Sequence, residues 1–291
     1  MSRPSTSLVT IALPVYNGAD TLPGVVASVL AQTHSDLELV ISDNASTDGT
    51  QEICRQLERD DRRVVYRRHP TNVGLLNNFV SAADHASGSF VRWIGDDDSI
   101  EPDYVARVLH VFAEDDRRVV VSTQVVYLDD DGTELLESDY DPGPLSSPDP
   151  VERFGAMLRL LTSDFALLDP VYATMRRELA TIPRRNMLRE DQVFAARLAL
   201  AGPWGHVAAP LARRRRHEGT ASSLAGLLGV PAWQRHVRVA LQCRELSRWV
   251  AESSLDPEQR RTARAEILRF YGRGKEIKLR RGVAKLERMA G

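Results

Sequence analysis

The chain lacks most of the features that mark a specialised protein class. Of its 291 residues only two are cysteine, aromatic residues make up 6%, and the formal net charge is -2. Cys54 and Cys243 are too few for a disulfide framework or a cysteine metal cage, and both sit in helix-like segments where a buried free thiol is expected. Long apolar runs are missing too. The longest weakly polar stretch, Leu198–Ala212, is interrupted by Pro203 and His206 and is too short to cross a bilayer. A pI of about 6.4, with no stacking aromatics among the arginines, makes nucleic acid an unexpected partner. No Gly-x-Gly-x-x-Gly follows a strand, which disfavours a Rossmann dehydrogenase. The apolar run Leu8–Val15 ends without a small-residue cleavage site, so no secretory leader is expected and the expected compartment is the cytoplasm.

What is present is an ordinary globular composition, 43% hydrophobic and 27% charged, with an uneven distribution of charge. Residues 232–291 carry 15 Lys and Arg against 7 Asp and Glu, leaving 23 against 33 for the rest. The first hundred residues alternate strands and helices. Strands are predicted at Leu8–Val15, Leu37–Ile41, Val64–Tyr66 and Ser89–Ile94. Apolar residues at helical spacing fall between them: Leu22, Val25, Val26, Val29 and Leu30, then Ile53 and Leu57, then Leu75, Leu76, Phe79, Val80 and Ala83. This βαβ pattern predicts an α/β fold with a mostly parallel central sheet and helices on both faces. Ligands of such sheets bind at the carboxyl ends of the strands. Those ends here carry Tyr16-Asn17, Asp43-Asn44 and Gly95-Asp96-Asp97-Asp98.

Beyond Pro102 the pattern predicts a helix to about Glu114, a β-rich run Val119–Leu128, a Pro/Ser-rich loop Asp141–Pro150, and helices at Val151–Leu161 and Met187–Leu200. Residues 232–291 read as two or three helices, with Asp256-Pro257 as a cap and first-turn pair and Gly272 and Gly274 as interruptions.

Asp96-Asp97-Asp98 is the most informative tripeptide. Adjacent carboxylates repel by roughly 1 kcal/mol in water and about 4 kcal/mol at an effective dielectric near 20, so something should offset the cost. One reading is a solvated turn in which Ser99 caps the next helix and Pro102 is an early helical residue. The other is an oxygen-rich site for Mg²⁺ or Mn²⁺ carrying a diphosphate. Asp129-Asp130-Asp131, followed by Gly132, is the same triplet and reads as a strand-connecting turn. Position, after a βαβ strand at the ligand edge, distinguishes the first.

Leu13-Pro14-Val15-Tyr16-Asn17, Gln32-Thr33, Ser42 to Thr50, Asn72-Val73-Gly74 and Trp93 to Asp98, in that order and spacing, resemble the family 2 glycosyltransferases. The likeness is strong over residues 8–105, weaker to about 223, and absent from the tail. It implies the GT-A fold, with a nucleotide-sugar half at 1–100 and an acceptor half at 101–231, to which the tail's own pattern adds a basic helical C-terminal extension at 232–291. It implies that Pro14, Tyr16, Asn17, Asp43 and Asn44 hold the nucleotide base, with Asn44 in the place of a usual second acid; a UDP- or dTDP-sugar is then the favoured donor. Its DxD motif falls on Asp96 and Asp98, with Asp98 as the direct ligand of Mg²⁺ or Mn²⁺ and Asp96 or Asp97 against the ribose or a metal-bound water.

An inverting transferase needs a carboxylate to take the acceptor's proton and positive charge on the departing diphosphate. By resemblance Asp191 is the base, with Glu190 the runner-up because adjacent helical positions face about 100° apart. The resemblance also gives His217 a metal or diphosphate role and places Arg215 on the donor. If Leu211–His217 is extended, Arg213, Arg215 and His217 share one side and Arg214 and Arg216 the other, the latter two reading as a solvated basic edge.

Phe165–Met175 and Trp204 fit either the acceptor side of the cleft, where the resemblance places acceptor recognition, or the core, where apolar and aromatic residues at such spacing more often lie, and no acceptor residue is singled out. The acceptor is expected to be a glycan or a lipid-linked glycan. The tail is expected to pack against the body or a second subunit, or to touch the inner face of an anionic membrane. The competing enzyme reading is a sugar nucleotidyltransferase, whose cationic phosphate loop has no counterpart in residues 16–20. The non-enzymatic reading is a nucleotide- or glycan-binding module that keeps the cleft without catalysis.

Overall fold

A computed structural model describes residues 8–137, 143–162, 170–215 and 225–290, with side chains to Gly274 apart from residues 136 and 137. The four expected strands are β1 (Val9–Val15), β2 (Leu37–Asp43), β3 (Val64–Arg68) and β4 (Phe90–Trp93). They are joined through α1 (Leu22–Leu30), α2 (Thr50–Asp60) and α3 (Leu75–Asp84). The later elements are β5 (Ser99–Ile100), α4 (Tyr104–Glu114), β6 (Val120–Leu128), β7 (Glu134–Glu137), α5 (Pro150–Leu160), β8 (Thr174–Arg176), α6 (Arg177–Ala180), α7 (Glu190–Ala201) and β9 (Trp204–Arg215). Two long helices follow, α8 (Gln234–Glu252) and α9 (Pro257–Ala290).

One nine-stranded sheet runs in the order β3-β2-β1-β4-β8-β6-β9-β5, with β7 paired to β6. Every pairing among β1 to β4 is parallel. The expectation of a mostly parallel sheet therefore holds for the first half only. Beyond β4, β8 is antiparallel to both β4 and β6, β7 to β6 and β5 to β9, and only β6 and β9 are parallel. The second half has no repeated βαβ unit to impose one direction.

All seven residues of β1 are buried, as suits a central strand covered on both faces. Ile11, Leu13 and Val15 join α1, α2 and α4 in one core, whereas Ala12, Val91 and Trp93 join α3, α5 and α7 on the opposite face. The second core also takes in Leu246 and Val250 of α8 and Ala263, Ile267 and Phe270 of α9, so this part of the basic tail packs on the body. Asp256 caps α9 as expected. Its Oδ1 accepts from the backbone of Glu258 and Gln259, and Gln259 Oε1 accepts from the Asp256 N–H in return, completing a capping box.

Three local expectations are corrected. Ser99 does not cap a helix: it pairs with Arg213 in the β5–β9 ladder, and α4 begins only after Asp103. Gly272 and Gly274 do not interrupt α9, because one glycine costs a helix only about 1 kcal/mol. The helix expected from Met187 starts at Glu190, after Arg189 adopts the left-handed conformation. No described helix is long and apolar enough to cross a membrane.

Candidate functional site

The carboxyl ends of β1, β2 and β4 open onto a cleft of about 870 Å³. Pro14, Tyr16, Asn44, Asp96, Asp97 and Arg215 all line it, as do Asn72 to Leu75, Asn78, Tyr172, Arg214 and residues 226–229. Six of the residues singled out from sequence thus meet in one cavity. Tyr16 is 49% exposed at its lip.

Asn17 stitches the rim together. Its backbone N–H donates to Ser46 Oγ at 2.9 Å, and its Oδ1 accepts from the Thr47 N–H at 2.8 Å. Asn17, Ala45 and Arg189 are the three non-glycine residues with positive φ among the described residues. Each costs on the order of 1–3 kcal/mol, and all three stand beside residues singled out here, where strain tends to be kept.

Asp43 lies behind the cleft wall and is 0% exposed. Its carboxylate accepts from Tyr66 Oη at 2.7 Å, Arg68 Nη1 at 3.0 Å and the Ser46 N–H at 2.8 Å. Burial, then the bond to Asp43, pushes the Tyr66 phenol well above its ordinary pKa. Tyr66→Phe should lower stability by about 1.5–3 kcal/mol, the range for a hydrogen bond to a charged group, read from the urea unfolding midpoint. Asn44 holds the neighbouring loop: Oδ1 accepts from the Val73 N–H at 2.8 Å and Nδ2 donates to Asn72 Oδ1 at 3.0 Å. One lone pair and one hydrogen of the amide remain for a ligand.

The acidic triplet divides by role. Asp96 and Asp97 line the cleft, whereas the side chain of Asp98 is 1% exposed and faces Arg214. Asp98 Oδ2 accepts from Arg214 Nε at 3.1 Å and from the Gly95 N–H at 3.1 Å, and Oδ1 accepts from the Arg215 N–H at 3.3 Å. The short strand β5 makes this meeting possible by locking the residues after the triplet onto β9. The Arg214 guanidinium also lies 3.6 Å from the centroid of the Tyr172 ring. Burial, followed by the charges of Asp98, Asp97 and Asp96, raises the pKa of the Tyr172 phenol. A Cβ at Gly18 would come 2.6 Å from both Val15 Cγ2 and Asp96 Oδ2, so a side chain there would have to displace the cleft wall.

The second triplet behaves as a turn. Asp129 Oδ1 accepts from the N–H groups of Asp131 and Thr133, and Gly132 has φ +83°. Its Asp130 carbonyl accepts from Arg215 Nη1 at 2.6 Å. Arg213 pairs with Glu101 and Glu134. Arg214, read as a solvated edge, is the arginine that pairs with the acidic triplet, through Asp98.

Among the described residues no three His, Cys, Asp or Glu side chains form a ready-made metal cage. A hard cation of the Mg²⁺ type is commonly held by one or two carboxylates together with substrate phosphates. Asp96, Asp97 and Asp98 supply the oxygen chemistry for it. His217 lies outside the described residues.

Beside the cleft, and sharing Leu75, Phe79, Tyr172 and Leu228 with it, is a pocket of about 270 Å³ that contains Asp191, Glu190, Arg184 and Arg189. Arg184 and Glu190 form a buried bidentate pair, with side chains 4% and 9% exposed. The Arg184 guanidinium also packs over Phe194 and Trp93. Burial raises the Glu190 carboxyl and Arg184 pulls it back, so Glu190 is occupied as a partner. Asp191 is open to water at the pocket mouth, yet the dense protein around it raises its pKa against the opposing pull of the Gln192 N–H, Arg184 and Arg189. Trp204 is core, packed with Phe154 and Phe194. Residues 163–169 of the expected acceptor segment lie outside the described residues.

A doubly covered α/β sheet with an acidic cleft at its strand ends, joined to a pocket holding a separate carboxylate, defines the class. The model of glycosyl transferase family 2 matches residues 10–181, and the chain belongs to that family. It is 29% identical over 124 residues to glycosyltransferase GlyA of Streptococcus pneumoniae, a match covering 43% of this chain and 18% of GlyA. It is 34% identical over 133 residues to chondroitin synthase of Pasteurella multocida, covering 46% of this chain and 14% of that protein. The chain thus matches under a fifth of the length of these two relatives. Among solved structures, S. aureus TarS 1-349 in complex with UDP-GlcNAc superposes with a TM-score of 0.63 at 17% identity, covering 91% of this chain and 72% of that one. Mannosyltransferase PcManGT from Pyrobaculum calidifontis, in complex with GDP-Man and Mn²⁺, gives 0.52 at 16% identity, covering 91% and 73%. The fold is GT-A.

Proposed function

We propose that the protein is an inverting, metal-dependent glycosyltransferase that moves a sugar from a nucleotide-diphosphate donor to a hydroxyl of a glycan or lipid-linked glycan. The observation that carries this reading is the junction of the two cavities: a cleft with Tyr16, Asn44, Asp96 and Asp97 opens beside the pocket that holds Asp191, and the two share four lining residues.

In this reading the nucleotide base sits against the Tyr16 ring and the loop held by Asn44, with Asp43 keeping the floor in place through Tyr66 and Arg68. The carboxylates of Asp96 and Asp98 would hold Mg²⁺ or Mn²⁺, and the cation would supply positive charge to the departing diphosphate. Arg214 and Arg215 bring further positive charge to the same wall. Asp191 takes the proton of the acceptor hydroxyl as it attacks, and its raised pKa makes it a better base than a free aspartate. Leu75, Leu76, Val171 and Met187 give the pocket around it an apolar wall for the acceptor to lie against. TarS, whose complexes contain UDP and UDP-GlcNAc, supports a uridine nucleotide as donor, and PcManGT supports a divalent cation.

Thermal shifts with UDP, dTDP and GDP, each with Mn²⁺ or EDTA, test the reading. A ligand at 100 times its Kd adds about 2.7 kcal/mol, a rise of roughly 5 °C for a chain of this size. The rise is expected for UDP or dTDP with Mn²⁺ and not with EDTA. No rise with any of the three nucleotides contradicts the assignment.

A further inference from the structure

The helix that carries Asp191 begins without a side-chain cap. Its N-cap residue, Arg189, stands at φ 66° and ψ 26°, a conformation that a residue with a side chain keeps only when its surroundings enforce it. Those surroundings come from α8. Gln242 is 0% exposed; its Oε1 accepts from Arg189 Nη1 at 3.1 Å and its Nε2 donates to Gln192 Oε1 at 3.0 Å. One buried amide therefore grips the chain on both sides of Glu190-Asp191. Two turns earlier on α8, Gln234 Oε1 accepts from the Leu188 N–H at 3.1 Å. One turn after Gln242, Glu245 pairs with Arg185 at 3.3 Å. Further along α7, the Arg197 guanidinium lies 3.3 Å from the centroid of Trp249. A buried amide is an expensive way to fill a core, and in α8 the buried polar side chains Gln234, Gln242 and Glu245 are the ones that meet residues 185–192, whereas Leu246 and Val250 fill the core.

We propose that Gln242 is a positioning residue for sugar transfer, with α8 acting as a clamp that holds residues 188–192 so that Asp191 faces the acceptor pocket. The inference rests on Asp191 being the base. It gives part of the basic tail, which lies outside the 10–181 stretch matched by the family model, a place in the catalytic unit.

Gln242→Leu keeps most of the volume and removes both hydrogen bonds. With the uridine or thymidine diphosphosugar that the wild-type protein turns over, its kcat should fall by about 10- to 100-fold, the scale of misplacing a reacting group by a fraction of an ångström to one ångström. The Kd for UDP or dTDP with Mn²⁺ should stay unchanged, because Gln242 makes no contact with the donor cleft. The acid limb of the kcat profile should also move to higher pH: Arg184, Arg189 and Glu190 are the charged groups facing Asp191, and the variant removes the amide that helps hold Arg189, one of the two cations favouring its charged form, in place beside it. Gln242→Glu keeps an acceptor for Arg189 and should recover most of the lost kcat.

Wild-type kcat in Gln242→Leu overturns the clamp, and so does an equal loss of kcat and nucleotide affinity, which would mark general loosening. If Gln242→Leu does not accumulate as folded protein, Gln192→Leu removes one of the two bonds at a half-buried position and carries the same expectations on a smaller scale. Asp191→Asn is measured alongside. If it is inactive while Gln242→Leu is fully active, the clamp alone fails; if it is fully active, the base assignment fails and the clamp with it.

Discussion

Asp191→Asn is expected to lower transfer by about 10³-fold while leaving donor binding intact, within the range of 10² to 10⁴ for loss of a general base. The amide keeps the shape of the side chain and cannot take a proton. Nucleotide affinity should persist because Asp191 is in the adjoining pocket and is not among the residues that line the donor cleft. The pH dependence follows from the same residue. Asp191 acts only when ionised, and its folded-state pKa is raised by the protein packed around it. The acid limb of kcat should therefore lie above the ordinary aspartate range, with activity falling as pH drops through that raised value. Glu190→Gln should behave differently. It breaks a buried pair with Arg184, so its main effect should be on stability, on the order of 3–5 kcal/mol, read by urea unfolding.

Asp98→Asn is expected to abolish cation-supported nucleotide binding, with a loss in UDP or dTDP affinity of at least 100-fold in Mn²⁺ and little change in EDTA, measured by calorimetry. The argument is electrostatic. Asp98 is almost wholly withdrawn from water and its charge is balanced by Arg214 on one side and the backbone N–H groups of Gly95 and Arg215 on the others. A neutral amide there removes the anionic anchor of the cation and leaves Arg214 beside Tyr172 without its carboxylate. Part of the change should therefore appear as a lower melting temperature even without nucleotide. Arg214→Ala provides a comparison, since it removes positive charge from the cleft and should weaken nucleotide binding while the cation requirement persists.

The first half of the molecule was legible because its elements are local. Apolar spacing over Leu22 to Leu30 and Leu75 to Ala83, with strand runs between turn residues, marks βαβ units whose direction and hand are restricted by physics. The strand ends then placed Tyr16, Asn44, Asp96 and Asp97 on one edge without any knowledge of tertiary contacts. The second half is built from pairings between distant residues. The three residues of β8, placed between β4 and β6, carry no period of their own, and the two of β5 looked like a helix cap. With β5 unread, nothing in the sequence could bring Arg214 to Asp98, so Arg215 drew attention and Arg214 did not. Tyr172 falls within the expected acceptor segment, but its place against Arg214 was unreadable for the same reason.

The side chains also divide labour in ways that residue type does not reveal. Asp43 and Asp98 are as acidic as Asp96, yet each is closed off from water and paired with an arginine. Glu190 and Asp191 are neighbours on one helix turn, and only the presence of Arg184, six residues before Glu190, separates a paired acid from an open one. The Arg184 position gave no warning of this. Gln242 lay in a segment with no family likeness, and a single glutamine on a basic helix carries no pattern.

The most direct test of a single displacement at the junction of the two cavities is the configuration of the sugar first released when water replaces the acceptor. Proton NMR of acceptor-free hydrolysis of an α-linked uridine or thymidine diphosphosugar, followed before mutarotation, should show the β anomer first in the wild-type protein and no release in Asp191→Asn. The α anomer appearing first would contradict the account.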